Sequence, residues 1–149
     1  MVFIMKKSKK IKENEFCTLS NLSELTRIRE FVHNNAIGRG FSEEQSHKIA
    51  LAVDEACTNL MKHAYHLDQT HEICLHVDMD KDKFIVDIYD DGVPFNPMEV
   101  NMPDMNEYFK SFRKGGLGIQ IIRSVMDEIK YYPSDKSNQR NKLTLIKTR

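Results

Sequence analysis

Residues 49–65, Ile49-Ala50-Leu51-Ala52-Val53-Asp54-Glu55-Ala56-Cys57-Thr58-Asn59-Leu60-Met61-Lys62-His63-Ala64-Tyr65, constrain the fold of this chain more than any other stretch. Apolar residues recur at Ile49, Ala52, Val53, Ala56, Leu60 and Ala64, the spacing of one buried helical face. Glu55, Asn59 and His63 stand at i, i+4 and i+8, so successive members sit one turn apart on a single side. A carboxylate and an amide are thereby presented together beside the buried stripe. Taken alone, such a spacing also describes a solvated helix face. Two later segments turn it into a candidate site: Asp90-Asp91-Gly92 and Lys114-Gly115-Gly116-Leu117-Gly118.

A chain of 149 residues is expected to form one domain with its own core. Its 22 basic and 22 acidic residues cancel, which leaves no bulk positive field for sequence-independent nucleic-acid binding. The one charge run is Lys6, Lys7, Lys9, Lys10 and Lys12, so residues 1–12 are read as a basic, mobile segment and 13–149 as the domain. That run follows the short apolar start Met1 to Met5, the reverse of a secretory signal, and no stretch approaches membrane-spanning length. The expectation is a cytoplasmic chain without a membrane or nucleic-acid partner. Cys17, Cys57 and Cys74 are widely spaced and form no CxxC, which suggests neither a disulfide framework nor a zinc site. Cys57 reads as a small buried hydrophobe. The histidines show no metal-ligand spacing, and His63 and His66 suit a helix C-terminus.

In chain order, Glu15–Leu19 reads as a strand. Ser20-Asn21 caps a helix whose stripe runs Leu22, Leu25, Ile28, Phe31, Val32 and Ala36. Gly38-Arg39-Gly40 breaks it. Ser42 with Gln45 gives the capping box of the central helix, which runs to about His66. Ile73–Met79 and Lys83–Tyr89 alternate as two strands joined at Asp80-Lys81-Asp82, a hairpin. Asp90 to Gly116 carries Pro94, Pro97 and Pro103 and little periodicity, as a lid would, with a short helical turn near 106–112. Ile119, Ile122, Val125, Met126 and Ile129 mark a further helix, ended by Tyr131-Tyr132-Pro133. Leu143–Lys147 reads as the last strand. Without βαβ alternation, this is an α+β chain: a two-layer α/β sandwich of one mixed, mainly antiparallel sheet covered by helices.

A carboxylate at the strand end Asp90-Asp91-Gly92 suits a ligand amino group, because a buried acceptor demands its donor. Gly92 lets backbone approach a flat ligand. A plain strand-end turn explains the same residues. Lys114-Gly115-Gly116-Leu117-Gly118 precedes a helix, where free backbone N–H groups and the helix dipole favour an anion, with Arg113 and Lys114 adding charge. A hinge is the alternative. The segment is neither a Walker A loop nor GxGxxG.

The combination is more specific than its parts. ExxxN on a helix, DxG at a strand end, a lid and GGxG before a helix closely resemble, in order and spacing, the GHKL or Bergerat-fold ATPases, which include gyrase, heat-shock chaperone and histidine-kinase catalytic domains. Glu55-Ala56-Cys57-Thr58-Asn59 with His63-Ala64-Tyr65, and Asp90-Asp91-Gly92-Val93-Pro94-Phe95, look like the anti-sigma-factor serine kinases of bacterial partner-switching systems. The resemblance covers residues 15–147. It implies ATP and Mg²⁺ as cofactors, with Asn59 as the metal ligand and Glu55 as the catalytic base. It implies Asp90 and Gly92 at the adenine and Lys114, Gly115, Gly116 and Gly118 at the phosphates. Lys62 is a further candidate toward a phosphate, and Thr144 toward the base through its hydroxyl. The implied activity is transfer of the ATP γ-phosphate to a serine or threonine of a small antagonist protein. A sigma factor or other regulator is the second partner, and a homodimer is the expected assembly. His33 lies on the first helix without the helical hairpin of a sensor kinase. The alternatives are a non-catalytic, nucleotide-gated interaction module and a stand-alone ATPase.

Overall fold

The computed structural model describes residues 13–99 and 116–149. Its elements follow from local chemistry. Strand β1 (Glu15–Leu19) ends where the Asn21 side chain accepts from the Ser23 N–H and caps a short 3-10 turn, Leu22–Glu24. Helix α1 (Leu25–Gly38) buries Ile28, Val32 and Ala36, one residue per turn on one side. Helix α2 (Glu43–Asn59) starts with the complete capping box, Ser42 Oγ accepting from Gln45 N–H and Gln45 Oε1 from Ser42 N–H. It then widens into a π-helical turn, Leu60–Ala64, a form that concentrates at functional sites.

The sheet holds β1, β2 (Glu72–Asp80), β3 (Lys83–Asp90), β4 (Glu128–Tyr132) and β5 (Asn141–Thr148) in the order β1-β2-β3-β5-β4. Among the described residues all four pairings are antiparallel, where a mixed, mainly antiparallel sheet was expected. Ile73, Leu75 and Val77 of β2 and Phe84, Val86 and Ile88 of β3 are buried on the face covered by α1 and α2. Asp90 shares their parity. Helix α3 (Gly116–Val125) packs against α2.

Two sequence expectations are corrected here. The helix expected to run through Ile129 stops at Val125, and Ile129 pairs with Leu145 in β4. Asp127 makes the switch: its N–H donates to the Ile146 carbonyl at 2.8 Å, and its carboxylate accepts from Thr148 N–H at 2.7 Å. A ladder with β5 outcompetes another helical turn. The second correction concerns the cysteines. The β1–β2 register sets Cys17 opposite Cys74, and the two form a disulfide across 57 residues of sequence. Spacing could not reveal a pair that only the register brings together. Cys57 is free and buried, as expected. The basic segment 1–12 and the helical turn near 106–112 lie outside the described residues.

Candidate functional site

The site is built where β3 ends, α2 runs past it and α3 begins. Asp90 is 1% exposed and Asn141, its partner across the β3–β5 ladder, is 0% exposed. Asn141 Nδ2 donates to Asp90 Oδ1 and to the Gly92 carbonyl, each at 3.0 Å, and its Oδ1 accepts from Ser134 N–H at 2.7 Å. Gly92 N–H also donates to Asp90 Oδ1, at 3.0 Å. One carboxylate oxygen is therefore saturated. The other, Oδ2, is buried and has no partner among the described residues. A buried acceptor left open costs free energy until a donor arrives, so it is the natural seat for a ligand N–H. Burial raises the Asp90 pKa, Asn141 and Gly92 N–H oppose the rise, and Asp91 adds to it.

Gly92 is held for a reason beyond turn geometry. A Cβ there would stand 2.8 Å from the Ala64 carbonyl oxygen and 2.9 Å from the Tyr65 ring, so the strand end and the π turn touch through bare backbone. Tyr65 strengthens that joint. Its hydroxyl accepts from Asp91 N–H at 2.9 Å and lies 2.9 Å from Asp91 Oδ1, while its ring stacks on His71 at 4.4 Å.

Asn59, 5% exposed, closes α2 just above the π turn, and its Nδ2 is buried without a partner among the described residues. Its amide is thus free to turn either end to a ligand. Glu55, one turn earlier, is half-buried. Burial is the largest cause of its raised pKa, Asp54 adds to the rise and Lys62 opposes it. Asp54 is buried and ion-paired with Arg29 of α1. Lys62 is exposed, with its charge near Glu55. Gly118 in the first turn of α3 comes so close that a Cβ would stand 2.5 Å from Glu55 Oε2. The glycine and the acid are thus direct neighbours. Gly116 opens α3, whereas Lys114 and Gly115 lie outside the described residues.

His63 does not extend the Glu55–Asn59 line as a polar partner. Its ring stacks on Phe95 at 5.0 Å, and Phe95 N–H donates to Tyr131 Oη at 2.9 Å. Thr144 is a correction. It pairs with Asp87, to whose Oδ1 its hydroxyl donates at 2.5 Å, on the sheet face away from the helices. Three residues from Asn141, it has the opposite parity from Asp90 and does not join the site. Asn141 was missed in the sequence. Its signal was weak, an asparagine heading a strand, and only the register reveals its role.

The donor set fits a nucleotide and a divalent cation. Asp90 Oδ2 and Asn59 Nδ2 are buried without partners among the described residues, and Glu55 and Gly118 are paired at a helix N-terminus. A family model described as the histidine kinase-like ATPase domain matches residues 19–147. The chain belongs to this family. Among curated relatives of this histidine kinase-like ATPase, the serine-protein kinase RsbW of Listeria monocytogenes is 35% identical over 97 residues, 62% of this chain and 62% of that protein. RsbW of Bacillus subtilis is 29% identical over 108 residues, 69% of this chain and 67% of that protein. The chain thus matches less than two thirds of the length of the Listeria relative. Among solved structures, a chain of the SiaB–SiaC complex from Pseudomonas aeruginosa gives a TM-score of 0.58 at 13% identity, over 97% of this chain and 96% of that one. The histidine kinase domain of a blue-light activated kinase from Erythrobacter litoralis gives 0.50 at 19% identity, over 85% and 60%. At these identities the likeness is one of fold, and it agrees with the two-layer sandwich.

Proposed function

We propose that this histidine kinase-like ATPase is a serine/threonine protein kinase of the anti-sigma-factor type. It moves the γ-phosphate of ATP to a hydroxyl of a small antagonist protein and controls a sigma factor or another regulator by partner switching. The observation that carries the reading is the division of labour at Asp90, with one oxygen saturated by Asn141 and Gly92 and the other buried and open.

In this reading Asp90 Oδ2 accepts from the adenine amino group, and the Gly92 backbone forms the adjoining wall. Gly116 and Gly118 bring main-chain N–H groups toward the phosphates at the start of α3, and Lys114 and Gly115, which precede them in the sequence, are the further phosphate candidates. Lys62 adds a second cation beside Glu55. The Asn59 amide would hold Mg²⁺, which when bound neutralises phosphate charge. Glu55 takes the proton of the attacking hydroxyl, and its raised pKa makes it a stronger base than an exposed glutamate once ionised. The RsbW relatives, named serine-protein kinases, support the acceptor class. A cytoplasmic location and a homodimer complete the proposal. Among the described residues, no helix is long and apolar enough to cross a membrane.

The test is labelling of source-cell proteins with γ-labelled ATP by the wild type and by Glu55→Gln. The reading expects an acid-stable phosphoserine or phosphothreonine on a small protein with the wild type alone. Equal labelling by both variants removes Glu55 from the base role, and no labelling by a wild type that binds ATP overturns the kinase and leaves a nucleotide-gated module.

A further inference from the structure

The sheet face away from the helices carries its own chemistry. Cys17 of edge strand β1 and Cys74 of β2 stand directly opposite there. They line a groove of about 330 Å³ with Glu15, His76, Tyr89 and Arg140. The Arg140 guanidinium lies over the Tyr89 ring at 4.4 Å, placing a cation at this groove. The Glu72 carboxylate sits 3.4 Å from Cys74 Sγ. Cys17 is exposed, whereas Cys57 is fully buried in the core. Two features mark the pair as more than a staple. The β1–β2 ladder already holds all five residues of β1, and the sulfurs face a groove large enough for a small molecule. Exposed disulfides are the ones that exchange readily.

We propose that Cys17 and Cys74 form a reversible dithiol–disulfide site that exchanges with low-molecular-weight disulfides bearing carboxylates. In the dithiol state Glu72 accepts the Cys74 S–H and keeps that thiol protonated, so Cys17 is the attacking group. The Cys17 thiolate attacks one sulfur of RSSR, forms Cys17–S–S–R and expels RS⁻. Cys74 loses its proton to solvent, attacks the Cys17 sulfur and expels the second RS⁻. Protons from solvent convert both leaving groups to thiols, so two protein thiols and one RSSR become one protein disulfide and two RSH. Arg140 offers a carboxylate of the incoming molecule its ion pair. Oxidation joins β1 covalently to β2. Reduction leaves the edge strand held by its ladder and by side-chain contacts such as the Phe16–Phe31 stack, upstream of α1, to which it connects through Ser20, Asn21 and the 3-10 turn Leu22–Glu24. This site lies on the face opposite Asp90 and does not depend on the kinase reading.

The experiment equilibrates the full chain with mixtures of reduced and oxidised glutathione under native conditions. The chain is then quenched, unfolded and labelled with N-ethylmaleimide for intact mass. The wild type is expected to pass from three labels to one as oxidised glutathione increases, and back to three with excess reduced glutathione. Cys74→Ser is expected to trap one glutathione on Cys17, and its thermal midpoint is expected not to rise on oxidation as the wild type's does. Three labels at every ratio overturn the proposal. So does a single label that excess reduced glutathione cannot reverse, a disulfide involving Cys57, or a Cys74→Ser variant that takes no adduct.

Discussion

At Asp90 one oxygen satisfies the protein and the other waits for a ligand. Burial raises its pKa, so the folded state binds that proton more tightly than the unfolded chain does. The sign follows: its favourable contribution to stability is full below the unfolded carboxylate range and is lost as pH rises through the higher folded value. Once ionised, Asp90 therefore destabilises the free protein. Asp90→Asn is expected to hold or raise the melting temperature of the free protein while abolishing the stabilisation added by ATP, a pair of thermal shifts that one scan series measures. Glu55 has the same sign for a different purpose. Its pKa, raised mainly by burial and then by Asp54, places proton uptake above the ordinary glutamate range. Phosphoryl transfer should rise with pH through that value and then level. Glu55→Gln should lower transfer by about 10²–10⁴-fold without loss of ATP affinity. A flat pH–rate profile in single turnover would remove Glu55 from the base role. At this scale motifs in the sequence singled out Glu55, Asn59 and Asp90 as candidates, and the structure gives each a buried or half-buried side chain. The sequence was silent on Asn141, whose meaning depends on lying opposite a residue 51 positions earlier. Thr144 was misread because strand parity, invisible until the register is known, turns it to the far face.

Elements come close at Gly92, against the Ala64 carbonyl, and at Gly118, against the Glu55 side chain. Gly118 brings the start of α3 against Glu55, so Gly118→Ala forces the carboxylate end of a flexible side chain aside. Such a change is tolerated by the fold but displaces the base. Transfer should fall more than about tenfold, as misplacement of a reacting group costs, with the melting temperature little altered. Asn141 joins β5 to the β3 end and to the segment at Ser134. Asn141→Ala leaves Gly92 O and Ser134 N–H without their partner and should cost about 1–3 kcal/mol in denaturant unfolding. A loss within experimental error would show that water replaces the amide. Amphipathic periodicity made α1, α2 and the β2–β3 hairpin readable, because each buries one clean face. It failed after Val125, where Ile129 fits either period and only pairing with Leu145 decides. The π turn was equally hidden. It spans Leu60 to Ala64 and ends where Gly92 comes against the Ala64 carbonyl.

The whole molecule is a helical layer on one side of an antiparallel sheet, with different chemistry on the two sheet faces. The covered face carries the Asp90–Asn141 pair at the strand ends beside α2 and α3, and the open face carries the Cys17–Cys74 pair. The family match over residues 19–147 and the shared architecture explain why three short motifs identified the fold so well. Each motif is weak alone, but one sheet and two helices must place all three at the same sheet end. The cysteine pair was absent from that logic because it belongs to no motif. The central claim is that the open oxygen of Asp90 reads adenine. The direct measurement is calorimetric titration of Mg²⁺-ATP and Mg²⁺-GTP into the wild type and Asp90→Asn. The account predicts saturable ATP binding by the wild type and weaker binding of GTP, whose ring carbonyl would face the carboxylate. It also predicts a loss of about 5- to 150-fold in ATP affinity on Asp90→Asn, the span of about 1–3 kcal/mol for one buried hydrogen bond. A folded wild type that binds neither nucleotide, or binds both equally with no effect of the substitution, would contradict it.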